Sequence, residues 1–241
     1  MTIEALLLDV GNTLLYLDYE RLLRVLAPLL PAGTTAEQAA RAERRARPRL
    51  SEYLHANKAS TEDPRSFQLY VELALDELGV KAEARALEAT FAELCREHRA
   101  ENFFSQRPPG VLEALAELAP RMKLAVVSNA GGRVKEKLAA TGFGAHLLAV
   151  VDSGIEGVEK PDPRIFLAGC ERAGVAPERA LYVGDLHAID VVGARAAGLK
   201  PLLLDPAGAY RERGVRDVPL VPSVTHVVEA LLGRGSAQAL W

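Results

Sequence analysis

Tryptophan occurs once in the 241 residues, cysteine and methionine twice each, and aromatic residues make up only 5% of the chain. Two cysteines, Cys95 and Cys170, lie far apart in helix-like stretches, so no disulfide framework is expected. No apolar run approaches the length needed to span a bilayer, and Met1-Thr2-Ile3-Glu4 lacks a basic leader, so a cytoplasmic chain is expected without a membrane partner. An excess of positive charge is missing too: the formal charge is -3 and the pI near 6.0, which argues against nucleic acid. What is abundant is hydrophobic residues, at 49%, enough for a sizeable core.

The organising stretch is Leu6-Leu7-Leu8-Asp9-Val10-Gly11-Asn12-Thr13, an apolar run that ends on a carboxylate and breaks at Gly-Asn. It reads as a buried strand delivering Asp9 to its C-terminal tip. Ligands of open parallel sheets sit beyond the carboxyl ends of the strands, so the tip is a place for chemistry. Asp-x-Gly-x-Thr also resembles the first phosphate loop of the actin and hexokinase superfamily. That reading needs a strand after Thr13, whereas the apolar spacing from Leu14 to Leu29 favours a helix.

From Tyr16 to Phe103 the pattern is helical throughout. Helices are expected over 19–30, 35–47, 50–54, 67–78 and 82–99, with breaks at Pro31 to Gly33, Pro48, Asn57 to Pro64 and Gly79. Arginines 41, 44, 45, 47 and 49 read as a solvated helix face, the competing reading being a basic rim that steers an anion. From Pro108 onward strands and helices alternate: strands 123–127, 147–151, 180–183 and 202–205, and helices 111–119, 132–141, 163–173, 189–197 and 224–232. The expected fold is α/β, a doubly wound, Rossmann-like parallel sheet, with 1–15 and 104–241 as core and 16–103 as an inserted α-helical domain.

Three strands then end in a polar residue at one sheet edge: Asp9, Ser128 and Asp185. Lys160 precedes Pro161 where a helix starts, and Asp190 enters on the first turn after Asp185. With these residues in order, the chain resembles the haloacid dehalogenase-like hydrolase superfamily over essentially its whole core. Asp9-x-x-x-Thr13 is similar to the first motif, Ser128 to the second, Lys160-Pro161 to the third and Gly184-Asp185-x-x-x-x-Asp190 to the fourth; the insert resembles the helical cap.

The resemblance implies a phosphatase for a small phosphorylated molecule, with Asp9 as nucleophile and an aspartyl-phosphate intermediate. It implies Mg²⁺ held by Asp9, the Gly11 carbonyl and Asp185, with Asp190 as ligand or support. Ser128 and Lys160 would bind the phosphoryl oxygens, Thr13 would bond the nucleophile's loop, and Asn129 would hold the Ser128 loop or touch substrate. One position departs from the pattern. Related phosphatases carry a second Asp two residues after the nucleophile, where this chain has Gly11, removing a general acid/base. His187 is a candidate substitute, against the blander reading of an exposed loop histidine. Phosphonate-cleaving relatives also lack that Asp, but Lys58 lies too far downstream to match their lysine. Dehalogenases lack the acidic pair that Asp185 and Asp190 supply. A weakened fold that only binds a phosphorylated ligand or partner is the alternative function.

Overall fold

The computed structural model describes residues 2–81 and 83–234. Strand β1 (Ala5–Leu8) is inaccessible to solvent on both faces. The chain then makes a short strand β2 (Tyr16–Leu17) and four helices: α1 (Tyr19–Leu26), α2 (Ala36–Asn57), α3 (Pro64–Glu77) and α4 (Ala84–Ala100). It returns through β3 (Phe104–Gln106). The remainder alternates: α5 (Val111–Leu118), β4 (Lys123–Ser128), α6 (Val134–Ala140), β5 (Ala149–Asp152), α7 (Ser153–Glu156), α8 (Pro163–Ala173), β6 (Ala180–Gly184), α9 (Val192–Ala196), β7 (Lys200–Leu204), α10 (Ala209–Glu212), β8 (Leu220–Val221) and α11 (Val224–Leu231).

The main sheet is six-stranded and parallel in the order β5-β4-β1-β6-β7-β8. Because side chains alternate along a strand, β1 feeds two cores. Leu6 and Leu8 pack with Val111, Leu115 and Val227, whereas Ala5 and Leu7 pack with Ile165, Phe166 and Cys170. Full burial of each such leucine stabilises the fold by about 1.5–3 kcal/mol. Chain order reverses across β1, which has β4 on one side and β6 on the other. The ends of β4, β1 and β6 therefore stand side by side, and they carry Ser128, Asp9 and Asp185.

The insert has a separate apolar core that includes Leu22, Leu26, Ala46, Leu50, Leu54, Val71, Leu75, Leu94 and Phe103. Its two passages to the sheet are joined as an antiparallel ribbon, Tyr16 opposite Gln106 and Leu17 opposite Phe104. The helix expected over 19–30 begins at Tyr19, where the Asp18 side chain accepts from the Arg21 amide, and ends at Leu26; the apolar spacing from Leu14 onward is first interrupted by β2. The break expected at Pro48 is not there. Helix α2 runs through it for 22 residues, opened by a full capping box at Thr35 and Gln38. A proline inside a helix costs about 3 kcal/mol. Here Ala46, Arg47, Pro48, Leu50 and Leu54 are all buried, and that packing outweighs the lost backbone bond. Among the described residues no helix is long and apolar enough to cross a membrane.

Candidate active site

At the tip of β1 the chain turns through Asn12, whose backbone adopts φ 56, a left-handed conformation that asparagine tolerates. Gly11 itself is not left-handed, and a side chain there would meet the Phe104 ring at an ordinary 3.6 Å. Strain at this turn therefore sits on Asn12. The Asn12 amide donates to Asp185 Oδ2 (3.2 Å) and to the Tyr70 hydroxyl (2.9 Å), tying the first loop to the fourth and to α3.

Lys160 is buried and its ammonium donates to Asp9 Oδ1 (2.6 Å), Asp190 Oδ1 (2.7 Å) and the Tyr182 hydroxyl (3.1 Å). Three acceptors match its three hydrogens. Burial alone would lower its proton affinity, but the Asp190 and Asp9 charges outweigh that and raise it. The lysine is thus a fixed cation. Its backbone is held as firmly: Asn129 Oδ1 accepts from the Lys160 amide (2.7 Å) and Asn129 Nδ2 donates to the Lys160 carbonyl (3.0 Å) and to Thr61 Oγ1 (3.0 Å). These bonds give Asn129 the loop-holding role that was one of its two expected readings.

Asp190 has no oxygen to spare. Its Oδ1 also accepts from Tyr182 (3.0 Å), and its Oδ2 accepts from the amides of Asp185 (3.1 Å) and Leu186 (2.9 Å). This close approach requires a glycine at 184, where an added Cβ would lie 2.2 Å from Asp190 Cγ. Asp190 enters on a π-helical turn, His187–Val191, not on an ordinary first turn. It supports Lys160 and the Asp185 loop. Tyr210 donates to the Asp185 carbonyl (2.9 Å) and Ser51 accepts from the Ala188 amide (2.8 Å), fixing the same loop from α10 and α2.

Two expected roles are not met by the geometry. The His187 imidazole is turned to the outer side, 3.1 Å from Asp217, which also pairs with Arg195 at 3.0 Å. Among the described residues the ring bonds Asp217 and none of Asp9, Lys160 or Asp190. The Thr13 hydroxyl is fully buried and bonds nothing among the described residues, so it does not brace the nucleophile's loop as expected. Ser128 is buried at its strand end, its hydroxyl 3.3 Å from the Asn129 carbonyl.

The largest surprise comes from the arginine run. Arg47 is only 1% exposed; its Nε and Nη2 donate to Glu43 Oε1 (2.6 Å) and Oε2 (2.8 Å), and its Nε lies 3.6 Å from Asp185 Oδ2. Glu43 also accepts from Tyr19 (2.8 Å) and from Tyr70. The signal was present as spacing: Ala39, Glu43, Ala46, Arg47, Leu50 and Leu54 fall at three- and four-residue intervals, so the pair occupies the buried face of α2. Arg45 pairs with Glu77 and Arg49 with Asp76 toward the surface, whereas Arg44 lies over the Tyr16 ring at 5.6 Å with its Nε buried. Tyr182, Tyr70 and Asn12 were likewise not singled out, since a tyrosine inside an apolar run looks like packing.

Four buried carboxylates, Asp9, Asp185, Asp190 and Glu43, face two buried cations, Lys160 and Arg47. Burial, reinforced by Asp190 and opposed by Lys160, pushes Asp9 up to about 6. Burial, with Asp190, Asp9 and Glu43 outweighing Arg47, pushes Asp185 up to about 8. The four carboxylates outnumber the two cations by two, and a divalent cation such as Mg²⁺ on these hard oxygen donors would balance them when all are ionised, so the residues fit one. Among the described residues no three acidic, His or Cys side chains converge as a ready cage. Mg²⁺ commonly takes one or two carboxylates and completes its octahedron with water and phosphate.

A parallel sheet with an acidic, lysine-bridged edge and a helical insert defines a hydrolase fold, and the comparisons agree. Residues 3–198 match the family of haloacid dehalogenase-like hydrolases, and the chain belongs to it. It is 36% identical over 113 residues to haloacid dehalogenase-like hydrolase domain-containing protein 3 of Mus musculus, covering 46% of this chain and 45% of that protein. It is 40% identical over 113 residues to a phosphoserine phosphatase of Thermus thermophilus, covering 44% and 45%. A glyceraldehyde 3-phosphate phosphatase of Methanopyrus kandleri is 38% identical over 116 residues, covering 47% and 49%. The chain thus spans about half the length of these curated relatives. Among solved structures, the HAD-hydrolase YfnB from Bacillus subtilis, bound to magnesium, superposes with a TM-score of 0.62 at 20% identity over 96% of this chain and 99% of that one. L-2-haloacid dehalogenase from Xanthobacter autotrophicus gives 0.57 at 19% identity over 96% and 99%.

Proposed function

We propose that this chain is a Mg²⁺-dependent phosphatase of a small phosphorylated metabolite, acting in the cytoplasm through an aspartyl-phosphate at Asp9. The observation that carries the reading is the ammonium of Lys160 held between Asp9 and Asp190, in a site whose buried carboxylates outnumber its buried cations by two. Relatives described as phosphoserine and glyceraldehyde 3-phosphate phosphatases support the same chemistry.

The carboxylate of Asp9 attacks phosphorus in line, forming a carboxyl oxygen to phosphorus bond as the ester oxygen leaves. Lys160 keeps Asp9 oriented and stabilises charge on the phosphoryl oxygens. The Ser128 hydroxyl donates to one of those oxygens, and the unpartnered Thr13 hydroxyl is free to do the same. Asp9, Asp185 and the Gly11 carbonyl would hold Mg²⁺, which when bound neutralises the transferred phosphoryl group. Asp190 holds Lys160 and the Asp185 loop rather than the ion. The helical insert, residues 16–103, acts as a cap, covering the sheet edge and excluding water. Water then attacks phosphorus, the bond to Asp9 breaks, and orthophosphate leaves.

The test is release of phosphate from an aryl phosphate with Mg²⁺, for wild type and Asp9→Asn. Turnover that vanishes in the variant and in excess chelator supports the reading. Equal turnover in the variant, or none in wild type across a panel of phosphate esters, rejects it.

A further inference from the structure

Glu43, Arg47 and Ser51 follow one another at four-residue intervals, so a single buried face of α2 carries all three. Ser51 accepts from the Ala188 amide at 2.8 Å, and on the rim Arg45 pairs with Glu212 (2.9 Å) and Glu52 with Arg213 (2.7 Å). These contacts fasten α2 to the Asp185 loop and to the end of α10. They set Arg47 Nε 3.6 Å from Asp185 Oδ2, the oxygen that also accepts from the Asn12 amide at 3.2 Å. A cation carried by the insert thus lies against one of the proposed metal ligands of the sheet.

An arginine is a costly residue for this place. Glu43 takes hydrogens from Nε and Nη2, while Nη1 is buried with no partner among the described residues. An unpaired buried donor is a net loss, and apolar residues of similar volume often stabilise a fold as well as a buried ion pair does. Packing alone gives no reason for the charge. Its field does have a target: it works on the Asp185 carboxyl against the like charges of Asp190, Asp9 and Glu43. A positive charge that holds this carboxylate also opposes a second cation on it, because charges about 4 Å apart interact strongly where water is excluded.

Resting on the phosphatase reading and its metal ligands, we propose that Arg47 sets the divalent-cation affinity of the site: the docked insert brings a guanidinium into competition with the metal for Asp185. The coupling is reciprocal. Lifting α2 carries the guanidinium away together with Glu43 and raises the affinity of Asp185 for a divalent cation. A cation seated on Asp185 weakens the hold of the sheet edge on α2 by the same factor. Metal loading is therefore favoured with the insert raised.

The test titrates Mn²⁺ into wild type, Arg47→Met, Glu43→Leu, the double variant and Arg47→Lys, with free Mn²⁺ read by electron paramagnetic resonance and folding checked by melting curves. No turnover is needed. The double variant removes the guanidinium without stranding its partner, and it should bind Mn²⁺ ~10-fold or more tightly than wild type. Arg47→Met should bind at least as tightly as the double variant. Glu43→Leu leaves the guanidinium without its counter-ion and should bind more weakly than wild type, whereas Arg47→Lys, which keeps the charge, should stay close to it. A pair that serves only to hold the fold predicts weaker binding wherever stability is lost. Equal or weaker binding in the double variant overturns the competition and leaves Asp9 as nucleophile, since that assignment is read from phosphate release. If the double variant does not fold, wild type against Glu43→Leu decides: unchanged or tighter binding there overturns the proposal. Absence of Mn²⁺ binding in every protein overturns the metal reading, and this one with it.

Discussion

Replacing Arg47 by methionine should be among the most destabilising single changes in the insert. The substitution leaves Glu43 buried with only the Tyr19 and Tyr70 hydroxyls as donors and leaves Asp185 without the guanidinium 3.6 Å away. Removing one partner of a buried ion pair costs about 3–5 kcal/mol. For a domain of this size each kcal/mol lowers Tm by about 2–4 °C, so a fall of roughly 6–20 °C is expected. Glu43→Leu should cost about as much, because it strands the arginine. The double variant removes both charges together. What remains unsatisfied is the Tyr19 hydroxyl and, in part, that of Tyr70, which still accepts from Asn12, while the loss of the guanidinium beside Asp185 is common to the double variant and the Arg47 single. At about 1–3 kcal/mol for a buried hydroxyl left unpaired, the double variant should cost clearly less than the sum of the singles, a coupling of at least ~2 kcal/mol. Urea unfolding of the four proteins without metal, with m-values compared, reads this directly. Additive losses would refute the pairing of Arg47 with Glu43.

The other predictions are shorter. Gly11→Asp should raise alkyl over aryl phosphate turnover, since the backbone is unstrained there and Phe104 sits at ordinary contact distance; a loss of all activity would show that the loop rejects the carboxylate. His187→Ala should leave that ratio unchanged, and a selective loss of alkyl activity would restore the histidine as the acid. His98, half-buried beside Phe67 and Phe103, has its imidazole lowered from 6.5 to about 4, chiefly by burial and then by Lys137 and Arg21. The unfolded chain binds that proton more readily, so the contribution is complete above pH 6.5, falls as pH drops toward 4, and is flat below. Discounted for the exposed part of the ring, the loss is about 1–2 kcal/mol, and His98→Phe should flatten it in pH-dependent urea titrations.

The strand tips were readable because a buried parallel strand is an unbroken apolar run, and the residue that ends it is marked by contrast: Asp9 after Leu8, Ser128 after Val127, Asp185 after Gly184. Neighbouring tips follow from the reversal of strand order at β1. The cap contribution was harder because two opposite signals share one helix. Pro48 reads as a break and Arg47 as a surface charge, yet both are buried by packing against elements remote in sequence. Side-chain hydrogen bonds are equally invisible in a list of residues. Nothing in the letters distinguishes Tyr182, which bonds Lys160, from a packing aromatic, or shows that His187 faces outward while Asp190, three residues on, faces in.

The ribbon of β2 and β3 has a consequence for how such a protein changes over time. Because Tyr16 lies opposite Gln106 and Leu17 opposite Phe104, the chain leaves and re-enters the sheet layer at neighbouring points. Everything from 18 to 103 is topologically a single excursion from one place. Such an excursion can lengthen, shorten or be exchanged without shifting the register of β1 against β4 and β6. The guanidinium beside Asp185 comes from that excursion, so its replacement would change the charge at the tip of β6 while the nucleophile and its lysine stay where they are.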